Sequence, residues 1–366
     1  MNGHNIAPLV DTSLLPRTNG DERVVSAAHR LYEHLIALWA PGVIEAAHDL
    51  GVFAELANGP RSSEELARHL DTDLRTTRIL LDALYAYEVL ERERAADGTA
   101  RYVLTEEMRA CLLPGGLFSL VGKITYDRNV AWGAWRDLAQ AVRTGGRDAT
   151  GQLRENQISQ TDYQSLAGGI NFWAPPIVEI LAQGLKGLGW SDGRNRKMLD
   201  VGCGTGLYSQ LMLSHFPSLE ATGLDAESIA PVAMEQSRRL GVEDRFAVEA
   251  CDFWKSAWGD SFDVVFFANI FHLHTSEQAE ELTGLAAKAL AEDGLMVIVD
   301  HIVDGERKVA TPQDRFAILF AASMTATGGG DAYTLEDYDE WFARSGLKRV
   351  QVLETPMHRI LFAGHA

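Results

Sequence analysis

The segment Asp200-Val-Gly-Cys-Gly-Thr-Gly206 closes one short apolar run, KMLDVG, and opens a helical one, LYSQLMLSHF. Glycines at 202, 204 and 206 remove side chains where backbone must pass close to a bound molecule. They also set the free N–H groups of a helix N-terminus beside that molecule. Nineteen residues after Gly206 the run EATGLD ends on Asp225. A carboxylate at the end of a second strand is placed to accept hydrogen bonds from both hydroxyls of a ribose. That geometry serves NAD and S-adenosylmethionine alike, and two further features separate them. In Ala250-Cys251-Asp252-Phe253 an acid can accept from an adenine amino group while Phe253 flanks the ring. The glycine pattern, which begins at Asp200 and has Leu at 207, also departs from the GxGxxG of dinucleotide sites.

A second kind of chemistry is offered by Asn269-Ile-Phe-His-Leu-His-Thr-Ser-Glu277, which follows the run FDVVFFANI. Ligands of open α/β sheets sit at the carboxyl ends of the strands. An imidazole at that place, His272, can take a proton from an attacking hydroxyl at neutral pH. His272, His274 and His301 also raise the question of a metal, but two imidazoles two residues apart can share an ion only on an extended segment.

These residues must be positioned by a parallel sheet. From Arg196 onward short apolar runs (KMLDVG, EATGLD, FAVEACD, FDVVFFANI, GLMVIVDHI, KRVQVLE, RILFAGH) alternate with helical segments, the pattern of strands covered by helices on both faces. Ahead of them the chain reads differently. Residues 1–22 form a poorly ordered tail. From Val24 to about Leu56 apolar residues recur at helical spacing, divided into two helices by Pro41-Gly42. Ser62-Ser63 followed by Glu65 starts a short helix with a capping acid. A second helix runs from Leu74 to about Leu90, and ERERAADGTARYVLT turns a hairpin at Asp97-Gly98. Helix, helix, hairpin is a winged-helix arrangement. The expected organisation is a tail over 1–22, a helical and winged-helix domain over 23–114, a helical linker rich in aromatics over 115–190, and the sheet domain over 191–366.

Composition narrows the function. A formal net charge of −18 repels nucleic-acid phosphates and anionic membranes, so the winged helix is read as a packing module and not as a DNA reader. Cys111, Cys203 and Cys251 lie far apart without metal-ligand spacing and are read as reduced thiols of a cytoplasmic protein. The first residues show no signal-peptide pattern, and no apolar run is long enough for a membrane helix.

The cofactor motifs resemble those of class I S-adenosylmethionine-dependent methyltransferases. With the winged-helix segment, the chain from about Val24 onward resembles the small-molecule O-methyltransferases typified by plant caffeate and isoflavone enzymes and by bacterial antibiotic-pathway relatives. The resemblance implies a Rossmann-like seven-stranded sheet with a reversed last hairpin and a homodimer built on the N-terminal helices. S-adenosylmethionine is then held by Asp200, Gly202, Gly204, Gly206, Asp225, Asp252, Phe253 and Asn269. His272 matches the family's general base, although Leu273 and His274 stand where a His-Asp-Trp sequence is usual. Asp300 in VIVDHIV matches the carboxylate that orients it. A second family acid falls on Ala332, with Asp331 adjacent. Tyr163, Ile170, Trp173 and Met324 match substrate-pocket positions. Iron-bearing relatives use a second histidine near the Gly-rich loop, and Ser323-Met-Thr-Ala326 holds none, so no metal is expected. The implied activity is O-methylation of a hydroxylated aromatic or polyketide-like small molecule in secondary metabolism. The alternatives are C- or N-methylation on the same scaffold, or a pericyclic or decarboxylative reaction that keeps the cofactor.

Overall fold

The structure is a computed structural model that describes residues 22–147, 158–328 and 330–366. Apart from Glu22, the tail expected over 1–22 lies outside the described residues, and Glu22 itself opens the first helix. The chain divides into two compact units, Met1–Leu112 and Leu113–Ala366. The helical segment expected as a linker over 115–190 therefore belongs to the second unit.

In the first unit, helices span Glu22–Ile36, Trp39–Asp49 and Val52–Leu56. Pro41-Gly42 does not divide them, contrary to the reading of the sequence: the break falls after Ile36, and Pro41 sits in the first turn of the second helix. The N–H that proline lacks would have no intrahelical partner in a first turn, so the residue is tolerated there. Helix Glu22–Ile36 buries no residue, and Leu31 and Leu35 are about 60% and 62% exposed. Helix Ser63–His69 starts in a capping box: the Ser62 hydroxyl accepts from the Glu65 N–H, and Glu65 accepts from the Ser62 N–H. Helix Leu74–Ala86 ends four residues short of its expected end and is followed by the hairpin of strands β1 (Glu91–Arg94) and β2 (Ala100–Val103).

The second unit is built on seven strands: β3 (Arg196–Val201), β4 (Leu219–Asp225), β5 (Phe246–Ala250), β6 (Phe262–Ala268), β7 (Leu290–Asp300), β8 (Leu347–Glu354) and β9 (Arg359–His365). Their order is β5-β4-β3-β6-β7-β9-β8. The first five are parallel, and β9 runs antiparallel to both β7 and β8. The sheet is thus the seven-stranded mixed sheet of methyltransferases. Strand β7 starts at Leu290, before the apolar run suggests, and its pairing with β6 shifts between Phe262 and Val264. Gly294 lies at that shift, where a Cβ would stand 2.7 Å from the Phe262 carbonyl oxygen. Two apolar layers cover the faces, one around Phe267, Phe271 and Trp341 and the other around Ile177, Phe266 and Phe362. Among the described residues no helix is long and apolar enough to cross a membrane.

Candidate active site

The carboxyl ends of the parallel strands carry the polar residues. Asp200 is in β3, Asp225 ends β4, Asn269 follows β6 and Asp300 ends β7. At this edge lies a cavity of about 610 Å³, in the size range of small-molecule sites. Gly202, Asp225, Asp252, Phe253 and Tyr163 line it, together with Ile270, Leu273 and His274.

Each glycine of the motif is required for its own reason. At Gly202 a Cβ would stand 2.4 Å from Ile270, and at Gly206 it would meet Gln210 at 2.5 Å and Phe246 at 2.7 Å. At Gly204 it would meet nothing within 4 Å, but φ there is +57°, which disfavours any side chain. Asp225 is 6% exposed, and its two oxygens each accept a 2.7 Å bond, from the Gly204 and Ala226 N–H groups. Burial pushes its carboxyl above the usual range, against the pull of those two donors. A carboxylate has about four acceptor sites, so lone pairs remain for two hydroxyls.

The residues suit the adenosyl part of S-adenosylmethionine. Asp225 has acceptors to spare toward a diol. Asp252, which accepts from the Trp254 N–H and from Lys255, lies on the same wall as the Phe253 ring. Two residues expected there are turned elsewhere. Asp200 is 2% exposed and accepts a 2.6 Å bond from the Ser209 hydroxyl, so it clasps helix Leu207–His215 to β3. Burial raises its carboxyl to about 7, partly offset by Ser209. Asn269, at φ +60°, accepts on its carbonyl oxygen from His358 Nε2 at 2.8 Å and donates its amide N–H to the Tyr208 hydroxyl at 3.4 Å.

His272 lies in a short 3₁₀ turn, Phe271–Leu273. Its ring Nδ1 is 2.6 Å from Asp300 Oδ1, and its backbone N–H donates to Asp300 Oδ2 at 3.2 Å. Asp300 is fully buried and also accepts from the His301 N–H at 2.7 Å. Burial pulls the Asp300 carboxyl up, but the charge and hydrogen bond of His272, with His301, outweigh it and hold it at about 2. An ionised Asp300 fixes the His272 proton on Nδ1 and leaves Nε2 as the nitrogen that can take another. The loop after helix Pro312–Thr327 presses on this turn from behind: a Cβ on Gly330 would stand 1.8 Å from the His272 carbonyl oxygen.

The turn separates His272 from His274, which an extended segment would have put on one face. His274 lies against Trp254 at 5.1 Å and lines the cavity, whereas His272 meets Phe320 at 4.8 Å. Burial and the neighbouring His272 hold His274 down at about 4. The Asp331 carboxylate accepts from the Ala332 N–H and from Arg307, and Ala332 is fully buried.

Trp173 closes the 3₁₀ turn Asn171–Trp173, packed edge-on to His301 at 5.5 Å and to His358 at 4.9 Å. Met324 is buried in helix Pro312–Thr327, and Ile170 caps helix Gln160–Gly169. Sequence reasoning did not single out His358 or Phe320. The signal for His358 is one of register: Asp300 pairs with Arg359 across β7 and β9, so the residues just beyond, His301 and His358, come side by side. Among the described residues no cluster of three or more His, Cys, Asp or Glu could hold a metal ion.

Comparison with known proteins agrees with this architecture. An O-methyltransferase dimerisation domain matches residues 32–113, and an O-methyltransferase domain matches residues 192–348. The chain is 25% identical, over 86% of its length and 88% of the relative's, to 3-hydroxy-5-methyl-1-naphthoate 3-O-methyltransferase of Streptomyces sahachiroi. It is 26% identical, over 71% and 75%, to bacteriochlorophyllide d C-20 methyltransferase of Chlorobaculum tepidum. The fold superposes with a TM-score of 0.76 on human N-acetylserotonin methyltransferase in complex with S-adenosylmethionine, at 21% identity over 93% of this chain and 98% of that one. With a dimerisation domain ahead of a catalytic domain that carries the nucleoside motifs, this chain belongs to the S-adenosylmethionine-dependent O-methyltransferase family.

Proposed function

We propose that the protein methylates a hydroxyl group of an aromatic or polyketide-like small molecule, with His272 as general base and Asp300 as the residue that orients it. The observation that carries this reading is the 2.6 Å contact between His272 Nδ1 and the buried Asp300 carboxylate. S-adenosylmethionine supplies the electrophilic methyl when bound. Gly202, Asp225, Asp252 and Phe253, which line the cavity, would hold it there, with the Gly204 N–H securing Asp225, and methyl transfer rests mainly on such alignment. A phenol has a pKa of about 10 and attacks better as phenolate, so a base within hydrogen-bond reach lowers the barrier. His272 Nε2 takes that proton, and the resulting imidazolium is stabilised by ionised Asp300. Trp173, Ile170, Met324 and Tyr163 contribute to the acceptor's walls. Relatives in antibiotic biosynthesis that methylate aromatic and polyketide hydroxyls support the acceptor class.

The test measures S-adenosylhomocysteine formed from 3-hydroxy-5-methyl-1-naphthoate and other hydroxylated aromatics. His272→Ala lowers turnover by about 10²–10⁴-fold at neutral pH and leaves cofactor affinity unchanged. The deficit shrinks at high pH, where the phenol ionises unaided, and His274→Ala costs less. Near-normal turnover of His272→Ala at neutral pH rules out the base assignment. A second reading, methylation at carbon, is favoured by the relative that methylates C-20 of bacteriochlorophyllide d. The position of a labelled methyl in the product separates the two.

A further inference from the structure

Beside the His272–Asp300 pair lies a buried group of rings whose hydrogen-bonding capacity the described residues do not fill. His301 and His358 are 1% and 0% exposed, and their centroids lie 4.1 Å apart across the β7–β9 ladder. His301 Nδ1 is 3.0 Å from the Met357 carbonyl oxygen, so it carries the proton and Nε2 is a bare acceptor. His358 Nε2 is bound to the Asn269 carbonyl oxygen at 2.8 Å, so its bare nitrogen is Nδ1. Neither bare nitrogen has a partner among the described residues, and neither has the indole N–H of Trp173, which is also buried. Phe320, 4.2 Å from His301 and 4.8 Å from His272, and Phe316, 5.0 Å from His301, complete an aromatic box. Buried polar groups are nearly always paired, and one left unpaired costs the full desolvation of that group. Two acceptors and one donor in one box are therefore unusual for a site that serves packing alone.

We propose that His301 and Trp173 form a specificity site that reads a second hydroxyl on the acceptor, next to the one that is methylated: its O–H donates to His301 Nε2 and its oxygen accepts from the Trp173 N–H. This inference rests on the reading of His272 as the base that faces the reacting hydroxyl. His272 and His301 rings are 5.8 Å apart, so their two bare nitrogens can serve neighbouring oxygens of one aromatic ring. Burial holds His301 down at about 4, which keeps Nε2 unprotonated at neutral pH. A site built to hydrogen-bond a hydroxyl discriminates strongly against the analogue that lacks it, because its own groups are then left unpaired.

The experiment uses protein saturated with S-adenosylhomocysteine, titrated calorimetrically with catechol and with phenol. Catechol is expected to bind at least about tenfold more tightly than phenol, since even one of the two hydrogen bonds is worth about that factor. His301→Asn keeps a donor toward the Met357 carbonyl oxygen but removes the acceptor at Nε2. It should lower the ratio several-fold, to what the Trp173 N–H alone contributes, while phenol affinity holds. His301→Gln, which returns an acceptor near Nε2, should recover part of the preference. In histidine labelled with nitrogen-15, the His301 Nε2 resonance should move toward its hydrogen-bonded range with catechol and not with phenol. Equal affinities in the native protein, no binding of either probe, or a preference undiminished in His301→Asn would overturn the proposal. His272→Ala should keep the catechol preference. Unchanged methyl transfer in that variant, with the preference intact, would instead overturn the base assignment alone.

Discussion

Asp300 accepts two hydrogen bonds from His272, one from the ring Nδ1 at 2.6 Å and one from the backbone N–H at 3.2 Å. The same carboxylate therefore fixes the position of the turn and the tautomer of its imidazole. Asp300→Asn keeps the shape and one acceptor but removes the charge that favours His272 as a cation. Turnover should fall by about 10²-fold or more at neutral pH, with cofactor affinity within about twofold of native. The measurement is kcat beside the dissociation constant for S-adenosylhomocysteine. A fall in affinity without a fall in kcat would place Asp300 outside the chemistry.

Asp225→Ala addresses the cofactor. The carboxylate is held by the Gly204 and Ala226 N–H groups and faces the cavity with acceptors to spare. Its loss should weaken S-adenosylhomocysteine binding by about 1.5–3 kcal/mol, the worth of a charge-assisted hydrogen bond. Because Asp225 also secures the Gly204 N–H, Asp225→Asn should fall between native and Ala. Unchanged affinity by calorimetry would refute the assignment.

The first helix predicts association. Val24, Leu31, Leu35 and Trp39 are 47–62% exposed and helix Glu22–Ile36 buries nothing, and the O-methyltransferase dimerisation domain matches the chain from residue 32, which takes in Leu35 and Trp39. An apolar face of that kind is a liability in water unless a second copy covers it. Sedimentation at micromolar concentration should give about twice the 40.2 kDa chain mass. Leu31→Asp with Leu35→Asp should shift it toward the single chain. A single-chain species in the native protein would refute the homodimer.

The cavity we propose for the cofactor is lined by residues the sequence had singled out, because their signals are local: a glycine cluster between strand and helix, and acids at strand ends. Gly202, Asp225, Asp252 and Phe253, far apart in sequence, line one cavity. The Asp97-Gly98 hairpin was legible for the same reason, its turn chemistry being contained in two residues. What depends on side-chain direction was not. Asp200 belongs to the glycine motif yet turns to Ser209, and Asn269 turns to His358. The 3₁₀ turn at Phe271–Leu273 sends His272 and His274 to different surroundings, and nothing in two-residue spacing announces it. The meeting of His301 with His358 needs the β7–β9 register, which links positions 57 residues apart.

Three histidines, His301 and His358 buried and His274 half-buried, should make stability depend on pH. His274 and His301 are held down at about 4, chiefly by burial, and His358 well below its ordinary 6.5 for the same reason. Between about 4 and 6.5 the unfolded chain takes up protons on these rings that the folded chain refuses. Their contribution is thus fully present above 6.5 and is lost as the pH falls through that window, with a slope approaching about 1.4 kcal/mol per pH unit for each ring. Asp200 works against them. Burial holds it up at about 7, so it adds stability as the pH falls from 7 toward its ordinary 3.8. The native curve alone therefore mixes opposite signs, and the informative quantity is a difference between proteins. His301→Asn with His358→Asn removes two of the titrating rings while leaving Asp200 and its Ser209 clasp in place. Denaturant unfolding at pH 7.5 and at pH 5 should show that the native protein loses more stability on acidification than the double variant. That ordering should hold even though the variant is less stable at both pH values, because the comparison is of slopes and not of levels. Parallel curves would mean that His301 and His358 are as easily protonated in the folded protein as in the unfolded chain. That would also remove the neutral acceptor on which recognition of a second hydroxyl rests.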